Sequence, residues 1–218
     1  MALESTLEHL LTTPEYLYAW TVVVLSSVAV VVYDLRTNQD LASLMEAVWT
    51  LTVLYSGPLG LAVYWHTGRR QISRDSRWRR GARSTAHCYS GCGAGEVTGI
   101  VIAAGVLALA TVGAIAVTFA FAYTFGLALT VGPLLQEGVG FREAVVDGIT
   151  TETPSIVVME TVAIGVDVWL AGEATMGDPL FWSSLVFSLS IGFLAAYPVN
   201  VGLVSAGVKE GMQNPTAT

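Results

Sequence analysis

Charge is scarce in this sequence. Asp, Glu, Lys and Arg make up 12% of its 218 residues, against roughly 25% in an ordinary soluble domain. With 53% hydrophobic residues and a mean hydropathy of +0.61, that deficit excludes a typical water-soluble fold and points to lipid as the solvent. Several patterns are missing as well. No G-x-S-x-G or H-E-x-x-H motif is present, which removes the usual signatures of soluble hydrolases. No ATP-binding motif is present to drive a pump. No stretch alternates with period two, which argues against a transmembrane barrel. No internal repeat is convincing, which argues against an inverted-repeat transporter. Lysines are few and the net charge is −7, an acidic balance like that of proteins from high-salt hosts. Nucleic acid is not an expected partner.

What is present is a series of long apolar runs. A spanning helix needs roughly 20 mainly apolar residues. Such runs occur at 16–33, 43–64, 97–135, 155–170 and 180–204. Helices satisfy their own backbone groups in lipid. The expected fold class is therefore all-α, a polytopic transmembrane helix bundle. The third run covers about 39 residues, or about 58 Å of straight helix, well beyond the roughly 30 Å of hydrocarbon. It is either one projecting helix or two helices meeting at a turn near Gly113.

The basic residues help to choose. Arg69, Arg70, Arg74, Arg77, Arg79, Arg80 and Arg83 lie together between the second and third runs. The positive-inside rule makes that segment cytoplasmic, and anionic lipid is its natural contact. Splitting 97–135 into two helices also places Arg142 and Lys209 inside, leaving Arg36 alone outside. The expectation is about six helices with both termini cytoplasmic, in a multi-pass protein of the plasma membrane. The first run follows an acidic start and lacks a small-residue cleavage site, so it reads as a retained helix. The organisation is a cytoplasmic segment at 1–15, helices 1–2 at 16–66, an Arg-rich loop at 67–86, helices 3–6 at 87–212 and a tail at 213–218. Within 137–153, Phe141, Val145, Val146 and Ile149 can share one face of an interfacial amphipathic helix. Pro154 then suits the first turn of the next helix. Six short helices make a thin bundle, compatible with a homo-oligomer.

The chemistry concentrates between His87 and Glu96, the segment expected to open the third helix. In helical register Cys88, Cys92 and Glu96 fall at i, i+4 and i+8 on one face, with His87 beside them. A helix N-terminus would favour the thiolate. Soft thiolates with an imidazole suit Cu(I) or Zn(II). The spacing is not that of a zinc finger, and two inert buried cysteines are the plain alternative. A disulfide is disfavoured by the reducing cytoplasm and by cysteines one helical turn apart. Gly91, Gly95 and Gly99 form a separate small-residue stripe suited to close helix packing.

Carboxylates also occur inside apolar runs. Glu160 and Asp167 share a face of the fifth helix, and Glu46 lies near an end of the second. Such groups are costly at depth and usually face a polar interior. No Lys or Arg falls within a predicted span to neutralise them. His66 ends the second helix near the level of the cysteines. Asn200, just past Pro198, reads as a hydrogen-bonding group between helices.

The segments HCYSGCGAGE, TVGPLL, PSIVVMETVAIG and AAYPVNVGLVSAGVKEGM, with SGPLGLAVYW before the arginines, resemble the prokaryotic membrane family called domain of unknown function 4396. The resemblance runs from about Tyr33 to Met212 and implies a small helical membrane protein. The residues themselves support a more specific expectation. His87, Cys88, Cys92 and Glu96 would capture a soft transition-metal ion at the cytoplasmic mouth, and Glu160, Asp167, Glu46 and His66 would line a polar path. Enzymatic activity is the less favoured class. The alternatives are a thiol redox protein using Cys88 and Cys92, and a scaffold or accessory subunit without chemistry of its own.

Overall fold

The computed structural model describes residues 2–72 and 74–211. Met212, part of the family resemblance, and the tail at 213–218 lie outside the described residues. The described chain is all-α: α1 (Ala2–Thr12), α2 (Pro14–Asn38), α3 (Ser43–Ser56), α4 (Pro58–Thr67), α5 (Arg77–Ile100), α6 (Thr111–Gln136), α7 (Phe141–Ala171) and α8 (Pro179–Ser205). A π-helical segment, Val101–Val106, extends α5. Helices α2, α6, α7 and α8 are long and apolar enough to cross a membrane.

α5 is the axis of the molecule. It packs against α3, α6, α7 and α8, and most of its residues from Gly81 to Glu96 are buried. Its buried residues are mostly Gly, Ala, Ser, Thr and Cys, with Arg83, His87, Tyr89 and Glu96 among them, and the small ones stand where neighbouring backbones come too close for larger groups. A Cβ on Gly95 would stand 2.4 Å from the Phe121 carbonyl oxygen, and one on Gly99 would stand 2.7 Å from the Thr118 Cα. Gly91 meets Gly126 of α6 in the same way, at 2.8 Å from its Cα. The glycine stripe therefore faces α6.

Three expectations about the elements are corrected here. The Arg-rich loop expected at 67–86 is shorter, because Arg77, Arg79, Arg80 and Arg83 are already helical in α5. Ser76 caps that helix, accepting from the Arg79 amide. Consequently His87–Glu96 lies deep within α5 rather than at its N-terminus, and no helix-end effect acts on the thiols. The break in the long third run falls at residues 107–110, a few positions before Gly113, where Ala108 takes a positive φ of 48°. Finally, 137–153 is no separate interfacial helix. α7 runs unbroken from Phe141 to Ala171 with Pro154 inside it.

The largest correction concerns 43–64. It is a hairpin and not a single span. α3 and α4 meet at Gly57, whose φ of 55° and ψ of −126° suit a residue without Cβ. Trp20 and Val24, in the first half of α2, pack onto that glycine. α4 then returns alongside α3, with Trp49 and Tyr64 edge to face at 5.3 Å. Arg69, just beyond α4, grips Asp34 near the end of α2 through two bonds of 2.9 Å. Tyr64 donates to the same carboxylate at 2.5 Å, and Gln39 bonds Gln71 at 3.0 Å. Both ends of the hairpin thus lie beside the C-terminal end of α2. α3 is about 21 Å long and α4 about 15 Å, both short of the roughly 30 Å of hydrocarbon that a spanning helix covers. Beyond the tip lies an apolar cavity of about 820 Å³ among α1, α2 and α8, with Leu10, Trp20, Leu59 and Phe187 in its wall.

Candidate functional site

Three layers of polar groups are stacked inside the bundle of α5–α8. α7 supplies a rung to each: Glu152, Glu160 and Asp167 recur at near-helical spacing on its inward side. From Glu152 to Asp167 is about 22 Å along the axis, most of the roughly 30 Å hydrocarbon thickness.

The middle layer holds the cysteines. Cys88 and Cys92 are free and fully buried. Their Sγ atoms are 3.9 Å apart, as expected one helical turn apart on one face. Gly126 of α6 makes room for them, since a Cβ there would lie 2.8 Å from Cys92 Sγ. Glu160 is fully buried, and neither carboxylate oxygen has a hydrogen-bond partner of ordinary geometry; the Cys92 thiol is its one hydrogen-bonding neighbour. Glu96, also buried, leaves Oε2 without one. Glu160 and Glu96 lie within electrostatic reach of the Cys92 thiol, and Glu160 and Asp167 within reach of Glu96. A buried polar group without a partner costs roughly 1–3 kcal/mol, and more if charged. So poorly partnered a carboxylate beside two thiols is therefore not an arrangement that packing alone selects.

The second layer lies toward the 107–110 and 172–178 turns. A cavity of about 170 Å³ opens there, with Glu96 in its wall together with Thr118 and Asp167. Ser184 donates to Asp167 at 2.5 Å. In the 172–178 turn, Asp178 accepts from the amide and hydroxyl of Thr175. Those bonds hold its carboxyl below the usual range.

The third layer, toward the arginines, contains Glu152, Lys209, Asn200, Ser155, Thr130 and His87. Lys209 Nζ donates to Glu152 Oε2 at 2.7 Å, Asn200 Oδ1 at 2.9 Å and Ser155 Oγ at 3.3 Å. Thr130 donates to Glu152 Oε1 at 3.2 Å. His87 is buried and leaves Nδ1 without a partner. It lies within electrostatic reach of Glu152 and Lys209 rather than joining the thiols.

The expected residues therefore separate. Cys88, Cys92, Glu96, Glu160 and Asp167 share the interior, while His87 belongs to the next layer. Among the described residues, no three His, Cys, Asp or Glu side chains are drawn together as a finished metal site. Glu46 and His66 are removed from the path. Glu46 pairs loosely with exposed Arg36 at 3.8 Å, and His66 is exposed at the end of α4, its carbonyl accepting from Arg79. The arginines are not all at the surface either. Arg83 is buried and forms two bonds to Asp75 at 2.9 and 2.8 Å, and Arg69 is held by Asp34. Sequence reasoning missed Glu152 and Lys209. The available signal was that Lys209 is the sole lysine of the chain.

Neither the curated proteins nor the solved structures contain a match to this chain. Residues 77–209, from the start of α5 to the buried lysine, match the family described as Domain of unknown function (DUF4396). The three polar layers fall within that stretch, and the chain belongs to this family.

Proposed function

We propose that this protein binds a soft transition-metal ion in the middle of the membrane and passes it across. The observation that carries the reading is Glu160, with neither oxygen in a hydrogen bond of ordinary geometry, beside a thiol pair 3.9 Å apart. Two sulfurs on one tetrahedral zinc, each at about 2.3 Å, stand about 3.8 Å apart. The pair needs little movement to chelate, and rotation of Glu160 and Glu96 would complete four ligands. Zn(II) suits that mixed set, and Cu(I) suits the thiols alone. His87 is replaced by Glu160 in this ligand set, and the site moves from the cytoplasmic mouth to mid-membrane. The cavity beside Glu96 and Asp167 offers the approach, and carboxylates at depth can exchange a proton for a cation.

The topology that goes with this reading has five crossings, α2 and α5 to α8, plus the α3–α4 hairpin. All ten Lys and Arg then lie at one end of the bundle, including Arg36. By the positive-inside rule that end is cytoplasmic, in the plasma membrane. The N-terminus lies outside, opposite to the original expectation, and the C-terminus inside.

Metal content by mass spectrometry on reduced, detergent-purified protein tests the site. Wild type should carry about one equivalent of Zn(II) or Cu(I), and the Cys88→Ser, Cys92→Ser variant should carry none. A wild type that stays empty after titration with both metals refutes the reading. The thiols would then be left to redox chemistry, or the bundle to a scaffold role.

A further inference from the structure

The sole lysine of the chain is 6% exposed, inside a bundle. It does not belong to any helix. α8 ends at Ser205, Gly207 turns the chain with a φ of 72°, and Lys209 folds back under the helix to reach Asn200, Glu152 and Ser155. The segment that carries it is fastened at few points. Arg80 of α5 donates to the Glu210 carbonyl at 2.5 Å, and Gly211 lies so close to Arg80 that a Cβ would meet its side chain at 2.5 Å.

The chamber around the ammonium is made of lone-pair donors from four helices. Glu152 contributes a carboxylate, Asn200 an amide oxygen, and Ser155 and Thr130 hydroxyls. His87, within electrostatic reach of Glu152 and Lys209 and hydrogen-bonded to the Leu129 backbone, adds an imidazole whose Nδ1 is buried without a partner. Carboxylate oxygen with imidazole nitrogen is a common zinc ligand set. The chamber lies one layer from the thiols on the way to the arginine-bearing end.

We propose that this chamber is a second cation site, which Lys209 occupies with its own ammonium, and that a metal ion leaving the thiols toward the cytoplasm must displace it. Lys209 is then a tethered stand-in for the cation. It keeps Glu152 neutralised when no ion is present and closes the inner end of the path. Displacement costs the ammonium its three bonds, and the arriving ion supplies the charge that Glu152 needs. This inference rests on the proposed metal-binding function.

A single lysine makes the test direct. The full-length protein in detergent is labelled with an amine-reactive ester, with and without Zn(II), and labelling is read at Lys209 against the α-amino group by mass spectrometry. Lys209 should be protected without metal and label at least tenfold faster at saturating Zn(II), with no change in Mg(II). Zinc bound to the protein while Lys209 stays protected overturns this inference and leaves the thiol site standing. Absence of bound zinc overturns both. In proteoliposomes, Lys209→Met should raise Zn(II) flux severalfold. Unchanged or lower flux from a variant that melts like wild type would show that Lys209 is only a structural counter-ion.

Discussion

Replacing Gly95 by Ala tests the closest approach in the molecule. The new Cβ would lie 2.4 Å from the Phe121 carbonyl oxygen and 2.6 Å from the Ala122 Cα. Ordinary contact needs about 3.4–4 Å, so the overlap is about 1 Å. Both atoms are backbone of α6, and no rotamer change relieves it. α5 and α6 must separate where the thiols and the glycine stripe meet. Overpacking of this kind costs about 1–3 kcal/mol, partly offset by a gain of about 1 kcal/mol in helix propensity. Gly165 of α7 supplies the control, because nothing lies within 4 Å of its Cβ position. Gly165→Ala keeps the propensity gain without the clash. The two variants should therefore differ by about 1–3 kcal/mol, or roughly 2–12 °C in Tm for a domain of this size. Thermal unfolding in one detergent, followed by circular dichroism, measures it. Equal melting of Gly95→Ala and Gly165→Ala would refute the claim that α5 and α6 are in backbone contact.

Other consequences are as direct. Gly126→Ala would press on Cys92 Sγ from 2.8 Å, a side chain able to yield; zinc affinity should fall severalfold in titrations while melting changes little. Arg69→Ala leaves Asp34 without its cation, and losing one partner of a buried pair costs about 3–5 kcal/mol. Since Arg69 is 19% exposed, a loss of about 2 kcal/mol is expected by thermal unfolding, and Asp34→Asn in the same chain should restore part of it. In a chain with Cys88→Ser and Cys92→Ser, cysteines placed at Asp40 and Gln71 should react with an impermeant maleimide from the same side of oriented vesicles, and one placed at Glu173 from the other. Labelling of Asp40 and Gln71 from opposite sides would make 43–64 a true span. Glu160→Gln should abolish bound metal in mass spectrometry without lowering the melting temperature, because the amide keeps the shape of the carboxyl and its oxygen can still meet the Cys92 thiol.

The class of fold was legible in the sequence, because apolar runs of spanning length have few other meanings. α5 was legible only at its end. A helix buried on all sides by close neighbours is built of Gly, Ser, Ala and Cys, which hydropathy does not register, so the expected loop ran far into it. The hairpin was hidden for the opposite reason. Residues 43–64 have the length and composition of a span, and the reversal depends on one glycine and on an Asp34–Arg69 pair over 30 residues apart. At the site, helical spacing places Cys88, Cys92 and Glu96 on one face, because they share one helix. It could not show that His87 turns toward α6 and α7, nor that Glu152 and Lys209 meet, since those are facts of packing between elements.

The limited length of the hairpin has a material consequence. On the flank formed by α2 and α8, α3 and α4 stop short, and only the short α1 lies beyond them. Beside it lies the 820 Å³ recess walled by aliphatic and aromatic side chains. In the membrane placement proposed above, hydrocarbon from the surrounding medium would complete that wall and would be a constituent of the folded unit there. Amphiphiles with tails too short or too bulky to enter the recess should leave Gly57, Trp20 and the hairpin tip poorly supported, and the choice of solubilising agent becomes a variable of the tertiary structure itself.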